Sequence, residues 1–281
     1  MKVYGKVSAV DRYNRTISIA KHHQITHYHL TNKMMHDFKG YLQLNPYVLF
    51  DTSFSRTIVN GKVVYEVNHF IKIMVPTIYG QTIFYNIDDI QSSIRELINK
   101  PHYRLFLDLE FSLPGNGGKP VSEIVQYGMV LEDPNGKVVL EESSLLKPFY
   151  DKALNARTLL FLSRVYSDFD DAPTYIEFYQ SLERCIRDYD AKIIAWGKND
   201  ILAMQKSFKT NHLRPLDLRN RYINLMQVMK NYYSYKQEKG LFTTYQEMKQ
   251  IPSTIQNHDA LEDAQIAREI FHMFQDEINK K

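Results

Sequence analysis

Tyr103-Arg104-Leu105-Phe106-Leu107-Asp108-Leu109-Glu110-Phe111 is a nearly continuous apolar run with two acids near its end. Such a run reads as a buried strand with a functional end. Asp108 and Glu110 are two residues apart, so on a strand their carboxylates share one face. Two like charges there are unfavourable unless a cation neutralises them. Hard oxygen ligands point to Mg²⁺ or Mn²⁺, which bind few carboxylates and leave room for phosphate oxygens. The competing reading is ordinary: one acid caps a turn or meets an arginine.

Outward from this strand the pattern alternates between strands and helices. Glu123–Leu131 and Lys137–Leu145 read as strands joined by the turn Asp133-Pro134-Asn135-Gly136. Tyr175–Tyr189 carries Ile176, Tyr179, Leu182 and Ile186 at helical spacing, with Cys185 beside them. Lys192–Trp196 and Tyr222–Leu225 read as short strands, and Leu241–Lys249 and Asp259–Phe274 as helices. Three antiparallel strands followed by helix–strand–helix units predict an α/β domain with a mixed sheet over residues 102–281.

Two later segments bear on the acidic pair. Ala195-Trp196-Gly197-Lys198-Asn199-Asp200 places an acid just beyond a short buried strand, where active sites of α/β sheets gather. Asp200 could equally cap the following helix. In His258-Asp259-Ala260-Leu261-Glu262-Asp263-Ala264 a histidine at a helix entrance precedes an acid inside the helix. Taken alone, His258 could be a surface residue and Asp263 part of a solvated face.

Together and in this order, the three segments resemble the DEDDh exonuclease family, which includes RNase T, oligoribonuclease and the proofreading subunits of replicative polymerases. Leu107 to Ser112 resembles the first motif, Trp196 to Asp200 the second, and His258 to Ala264 the third. Ser122-Glu123-Ile124-Val125-Gln126-Tyr127-Gly128 resembles the family's second strand. Lys147-Pro148 and Asp171-Ala172-Pro173 are similar to positions common in its RNA-directed branches. The resemblance runs from about Tyr103 to Phe274. It implies an RNase H-like fold and two-metal hydrolysis of phosphodiester bonds from a 3′ end. It further implies that Asp108 bridges two Mg²⁺ or Mn²⁺ ions, that Glu110 and Asp263 complete one metal site, and that Asp200 acts mainly through water. His258 would take the proton from the attacking water. Phe111 and Ser112 would meet the terminal nucleotide, although Phe111 reads equally well as a core residue.

Residues 1–75 read differently. Val3–Val10 and Thr16–Ala20 alternate across Asp11-Arg12-Tyr13-Asn14-Arg15, and Ile25–Leu30 and Tyr47–Phe50 follow. Ile58–Val59 and Val63–Val67 flank the hairpin signal Asn60-Gly61, and His69–Val75 extends that arm. About five short strands predict a small all-β barrel of OB-like type. Gly5-Lys6-Val7 and His27-x-His29-Leu30 resemble a cold-shock or S1-type domain, with Tyr13-Asn14-Arg15-Thr16-Ile17 in place of its glycine- and phenylalanine-rich second strand. Lys6, Tyr13, His27 and His29 are the candidate nucleic-acid contacts, with Tyr4 and Phe54 as further stackers. His22, His23, His27 and His29 also allow a metal site or plain surface histidines. Residues 76–101 read as a linker holding a helix, Asp88–Asn99, with Ile90, Ile94, Leu97 and Ile98 on one face and Pro101 after it. Tyr232-Tyr233-Ser234-Tyr235-Lys236 could line a strand-exit path or form a helix surface.

The net charge of +3 is uneven. Residues 1–75 hold ten Lys or Arg against four acids, a net +6 that leaves −3 for the rest. A basic module beside an acidic one suits a nucleic-acid anchor next to a metal site, while a lysine-rich β domain also serves solubility. A single cysteine, Cys185, excludes an intrachain disulfide and a cysteine-based zinc site. No apolar run spans a bilayer and the opening residues lack a secretory signal, so a cytoplasmic protein without a membrane role is expected. The expected partner is single-stranded nucleic acid, RNA before DNA. The alternatives are a DNA-trimming or repair exonuclease, and an RNA-binding, chaperone-like protein that uses the nuclease fold as a scaffold.

Overall fold

The alternating segments between Val3 and Val75 form strands. In a computed structural model, residues 1–21, 24–78, 80–115, 122–252 and 258–280 are described. They form two units, Met1–Ile94 with Asn231–Lys236, and Arg95–Lys230 with Gln237–Lys281.

The first unit contains β1 (Lys2–Asp11), β2 (Thr16–Lys21), β3 (Gln24–His29), α1 (Asn32–Leu42), β4 (Tyr47–Val59), β5 (Lys62–Thr77) and β6 (Gly80–Asn86). The sheet order is β3-β2-β1-β4-β5-β6. His27–His29 of β3 also pair in parallel with Val64–Glu66 of β5, which closes β1 to β5 into a five-stranded barrel. Val7, Ile17, Ile19, Tyr28, Val48, Phe50, Val67 and Phe70 fill it.

Two elements here lie outside the sequence expectation. No element is expected over residues 31–46, yet α1 forms there. Thr31 caps it by accepting from the Met34 N–H, and Met35 and Leu42 bury their side chains. Residues 76–86, expected to begin a linker, continue β5 and form β6. The free edge of β5 provides the hydrogen-bonding ladder for β6, from Lys72↔Asn86 to Thr77↔Gly80. Tyr85 of β6 packs edge-on against Phe38 of α1 at 5.0 Å. The helix α2 (Ile87–Asn99) follows at the place its apolar spacing predicts.

The second unit opens with β7 (Arg104–Phe111), β8 (Ile124–Glu132) and β9 (Val138–Leu145), then α3 (Ala156–Leu162) and α4 (Tyr175–Tyr189). After these come β10 (Lys192–Ala195), α5 (Asn199–Thr210), β11 (Tyr222–Asn224), α6 (Leu225–Tyr233, of which Asn231–Tyr233 count with the first unit), α7 (Leu241–Lys249) and α8 (Ala260–Asn279). The sheet order is β11-β10-β7-β8-β9. β8 is antiparallel to β7 and β9, while β10 is parallel to β7 and β11, so the sheet is mixed as expected. Leu105, Leu107 and Leu109 face a core with Phe178 and Leu182 of α4. The alternate residue Phe106 packs against Phe271 of α8, ring centroids 5.6 Å apart. Asp108 and Glu110 follow Phe106 at strand period, so they share the α8 side of the sheet. Among the described residues no helix is long and apolar enough to cross a membrane.

Candidate active site

The end of β7 brings Asp108 and Glu110 beside the first turn of α8. That approach needs a missing side chain. Gly128 of β8 pairs with Asp108, and a β-carbon on Gly128 would overlap the backbone of Ala260 and Leu261. Asp259 caps α8 by accepting from the Leu261 and Glu262 N–H groups, and it also accepts from Gln126 Nε2 at 3.0 Å. Gln126 sits opposite Glu110 on β8, so one side chain ties the helix cap to the strand pair. Ala260 and Ala264 are fully buried, and their small size permits the close packing.

Asp263 is then buried one turn into α8, with Glu110 and His258 nearby. Ligand atoms of Glu110, His258 and Asp263 all lie within 4.8 Å of one another. His258 Nδ1 stands 3.6 Å from Glu110 Oε1, and the imidazole remains 41% exposed. Asp200 enters from the first turn of α5. The cap position of that helix belongs to Lys198, so Asp200 is not its N-cap. The Tyr222 hydroxyl of β11 donates to the Gly197 carbonyl at 2.9 Å and lies 3.5 Å from Asp200 Oδ2.

The electrostatics of the cluster are those of unneutralised acids. Burial pushes Glu110 up to about 7, helped by Asp263, Asp200 and Asp259. Burial also pushes Asp200 to about 7, against hydrogen bonds from the backbone and from Tyr222. Asp108 is held well above the carboxylate range, first by burial and then by Asp200, Asp263, Glu110 and Asp259. Neighbouring acids thus add to burial in opposing ionisation of Asp108 and Glu110, which is the condition a bound cation would reverse.

The remaining sequence candidates are distributed differently. Phe111 is half-buried against the core under β7. Ser112 is buried, and its hydroxyl accepts from the Glu123 N–H at 2.9 Å. Glu123 in turn accepts from the N–H groups of Phe149 and Tyr150. Lys6, Tyr13, His27 and His29 all belong to the first unit. Lys6 is exposed, and Tyr13 is 92% exposed in the β1–β2 turn. His27 Nδ1 is 2.8 Å from Ser18 Oγ, and His29 Nε2 is 3.4 Å from Arg15. Burial and Arg15 lower the His29 pKa while Glu66 opposes them. His22 and His23, included in the four-histidine reading, lie outside the described residues. Tyr4 stacks on Tyr47 and Phe54 is exposed, while Tyr233 stacks on Tyr235.

Sequence reasoning missed Gly128, Gln126, Asp259, Tyr222 and Phe161 as parts of this site. Only Gly128 carried a usable signal, a glycine inside an apolar strand, which marks a close backbone approach. The half-buried Phe161 of α3 lies against His258, with ring centroids 4.2 Å apart and planes tilted by 31°.

Solved nuclease structures share this fold. The nuclease domain of 3′hExo, a DEDDh family member bound to rAMP, matches with a TM-score of 0.54 and 17% identity. The match covers 63% of this chain, about the size of its second unit, and 94% of that one. A 3′-exonuclease described in 3′-end-specific recognition of a histone mRNA stem-loop matches at 0.54 and 16% identity, over 63% of this chain and 65% of that one. Cell-death related nuclease 4 (CRN-4) matches at 0.51 and 19% identity, over 64% of each chain. This chain therefore spans less than two thirds of those last two chains. The class defined by this architecture is the RNase H-like fold of DEDDh nuclease domains. No family model matches the sequence, and no curated protein matches it.

Proposed function

We propose that this chain is a 3′→5′ exonuclease that hydrolyses phosphodiester bonds from the 3′ end of single-stranded nucleic acid, RNA in preference to DNA. The observation that carries the reading is the convergence of Asp108, Glu110, Asp200 and Asp263 beside His258, with three of those carboxylates resisting ionisation. A scaffold has no use for such a cluster, because it destabilises the fold. Carboxylate oxygens with one imidazole suit Mg²⁺ or Mn²⁺, and we assign two such ions to Asp108, Glu110, Asp200 and Asp263. Bound there, divalent ions would neutralise the cluster and stabilise charge on the attacking and leaving oxygens.

The chain's own groups supply the rest. Among the described residues, His258 is the candidate base that lies beside the acids and is also open to solvent, and we assign it the proton of the attacking water. Tyr222 orients Asp200, and Gln126 with Asp259 sets the entry of α8. Phe111 and Ser112 follow the acids directly and are proposed to border the terminal nucleotide.

We read the barrel as OB-like. Its β1-β2-β3-β5-β4 closure, with α1 between β3 and β4, supports that reading. Lys6, Tyr13, His27 and His29 would contact the strand through charge, stacking and hydrogen bonds. RNA preference draws support from the rAMP bound to the 3′hExo domain and the mRNA stem-loop recognised by the 3′-exonuclease. A lone, buried Cys185 suits a reducing cytoplasm.

The test uses 5′-labelled single-stranded RNA and DNA of one sequence with Mg²⁺, Mn²⁺ or EDTA. The expected result is a ladder shortening from the 3′ end, faster on RNA, abolished by EDTA and by Asp108→Ala. Protein that binds RNA yet leaves both strands intact with either metal would overturn the enzyme reading. Faster loss of the DNA strand would turn it towards DNA trimming.

A further inference from the structure

His258 stands just before the α8 cap, outside the helical hydrogen-bond ladder. Its Nδ1 faces Glu110 at 3.6 Å, longer than a hydrogen bond, so that contact alone does not set the ring plane. A second contact is with Phe161, whose ring lies 4.2 Å from the imidazole, centroid to centroid, tilted at 31°. Contacts between aromatic rings at this distance are favourable and restrict rotation.

Phe161 is itself held in register with the acids. Asn155 caps α3 by accepting from the Arg157 and Thr158 N–H groups, and its Nδ2 donates to the Leu113 carbonyl at 2.7 Å. Thr158 Oγ1 accepts from the Leu113 N–H at 2.9 Å, and Arg157 donates to the Pro114 carbonyl at 3.2 Å. Leu113 and Pro114 directly continue the chain that carries Glu110 on β7. Val125, Leu154, Leu162 and Phe169 form a buried cluster beneath the same helix, with Phe161 at its margin. A strand, a clamped helix and a ring therefore form one continuous support that ends on the imidazole.

We infer that Phe161 is a positioning residue that holds the His258 imidazole in register with Glu110. The inference rests on the hydrolytic reading of the carboxylate site for its kinetic consequence, but not for its geometry. Phe161→Leu keeps an apolar side chain over the buried cluster and removes the stacking face. Phe161→Tyr keeps both.

The experiment follows the His258 ring protons by NMR in the full chain with labelled histidine, assigned through His258→Gln, alongside steady-state kinetics on single-stranded RNA. In the wild type the ring protons should be shifted upfield by the aromatic face. Phe161→Leu should move them downfield and lower kcat about tenfold, because a small misplacement of a reacting group is expensive in rate. KM should stay within about twofold, since uniform substrate binding is untouched. Phe161→Tyr should restore both readouts. Ring shifts indifferent to Phe161→Leu would overturn the inference, as would a raised KM at unchanged kcat, which would make Phe161 a substrate contact instead. A wild-type chain that cleaves no substrate, with ring shifts that still respond, would sink the nuclease reading and leave the positioning role standing.

Discussion

Gly128 lies directly opposite Asp108 across the β7–β8 ladder, and Ala260 packs onto the bare backbone that Gly128 leaves. The side of the sheet that carries the acids thus admits the start of α8 where Gly128 lacks a side chain. The obstruction in a Gly128→Ala variant is backbone, not the far end of a flexible side chain, so the start of α8 must shift. We expect a loss of about 1–3 kcal/mol in stability, as for overpacked cores. Displacing Asp263 and His258 with α8 should also cut hydrolysis to a small fraction of the wild type. Urea unfolding and the strand-shortening assay measure the two effects, and an unperturbed midpoint would refute the close-approach argument.

The metal-free protein should lose stability as pH rises. Glu110 and Asp200 are held at about 7 in the fold, whereas free carboxylates titrate near 4. A raised folded pKa means that the native state binds protons more tightly than the unfolded chain. The associated stability is therefore fully present below about pH 4 and is lost as pH climbs towards 7. In EDTA the unfolding temperature should fall between pH 5 and about 8, and Mg²⁺ or Mn²⁺ should restore it most strongly at the upper end. A thermal-shift series across that range, with and without metal, checks the sign.

Removing one charge from the cluster should separate catalysis from stability. If the proposed metal role holds, Asp108→Asn lowers the hydrolysis rate by about a thousandfold or more. The same change relieves repulsion on Asp200, Asp263 and Glu110. In EDTA at pH 8 the variant should therefore unfold at a higher temperature than the wild type. A lower temperature would show that Asp108 contributes structurally instead.

Glu132 sits fully buried at the other end of the β7–β8 pair. It accepts from Arg104 Nε at 2.6 Å and Arg268 Nε at 2.7 Å, and lies 2.8 Å from His272 Nε2. Burial alone would raise its pKa, but His272 and Arg104 hold it below the usual value. Glu132→Ala strands a buried Arg104 and should cost about 3–5 kcal/mol. Because its folded pKa is depressed, the stability Glu132 contributes should vanish as pH falls into the acid range. Denaturation of the wild type and the variant at pH 7 and pH 4 should show the difference narrowing.

The barrel surface should bind through phosphates. Replacing Lys6 with Ala should weaken RNA binding in EDTA and flatten the salt dependence by about one unit of slope. Tyr13→Ala should weaken affinity while leaving the slope unchanged, since stacking releases no counterions. Fluorescence anisotropy across a salt series distinguishes them, and identical slopes and affinities would remove both residues from the interface.

Much of this protein is legible along the chain because its signals are local. The apolar run into Asp108 and Glu110, the helical stripe over Tyr175–Tyr189 and the Asp133–Gly136 turn each reflect backbone periodicity or turn chemistry within a few residues. The order of the three acidic segments pointed to one site by family resemblance. α1 did carry a local signal, Met34, Met35, Phe38, Tyr41 and Leu42 at helical spacing, but it stands among segments of strand alternation; β6 escaped because its pairing partner is an edge that exists only once β5 has formed.

By itself, the sequence determined which residue types could meet, four carboxylates and one imidazole, and that a basic β module precedes them in the chain. Tertiary structure alone decided that Gly128 admits α8, that Gln126 and Asp259 tie its cap to β8, and that Phe161 covers the imidazole. These contacts join residues distant along the chain through steric fit and desolvation, which no local period records. The same burial raises the carboxyl groups of Asp108, Glu110 and Asp200 above their ordinary range. A pair of acids on a strand becomes a cation-seeking site only when the fold has removed their water.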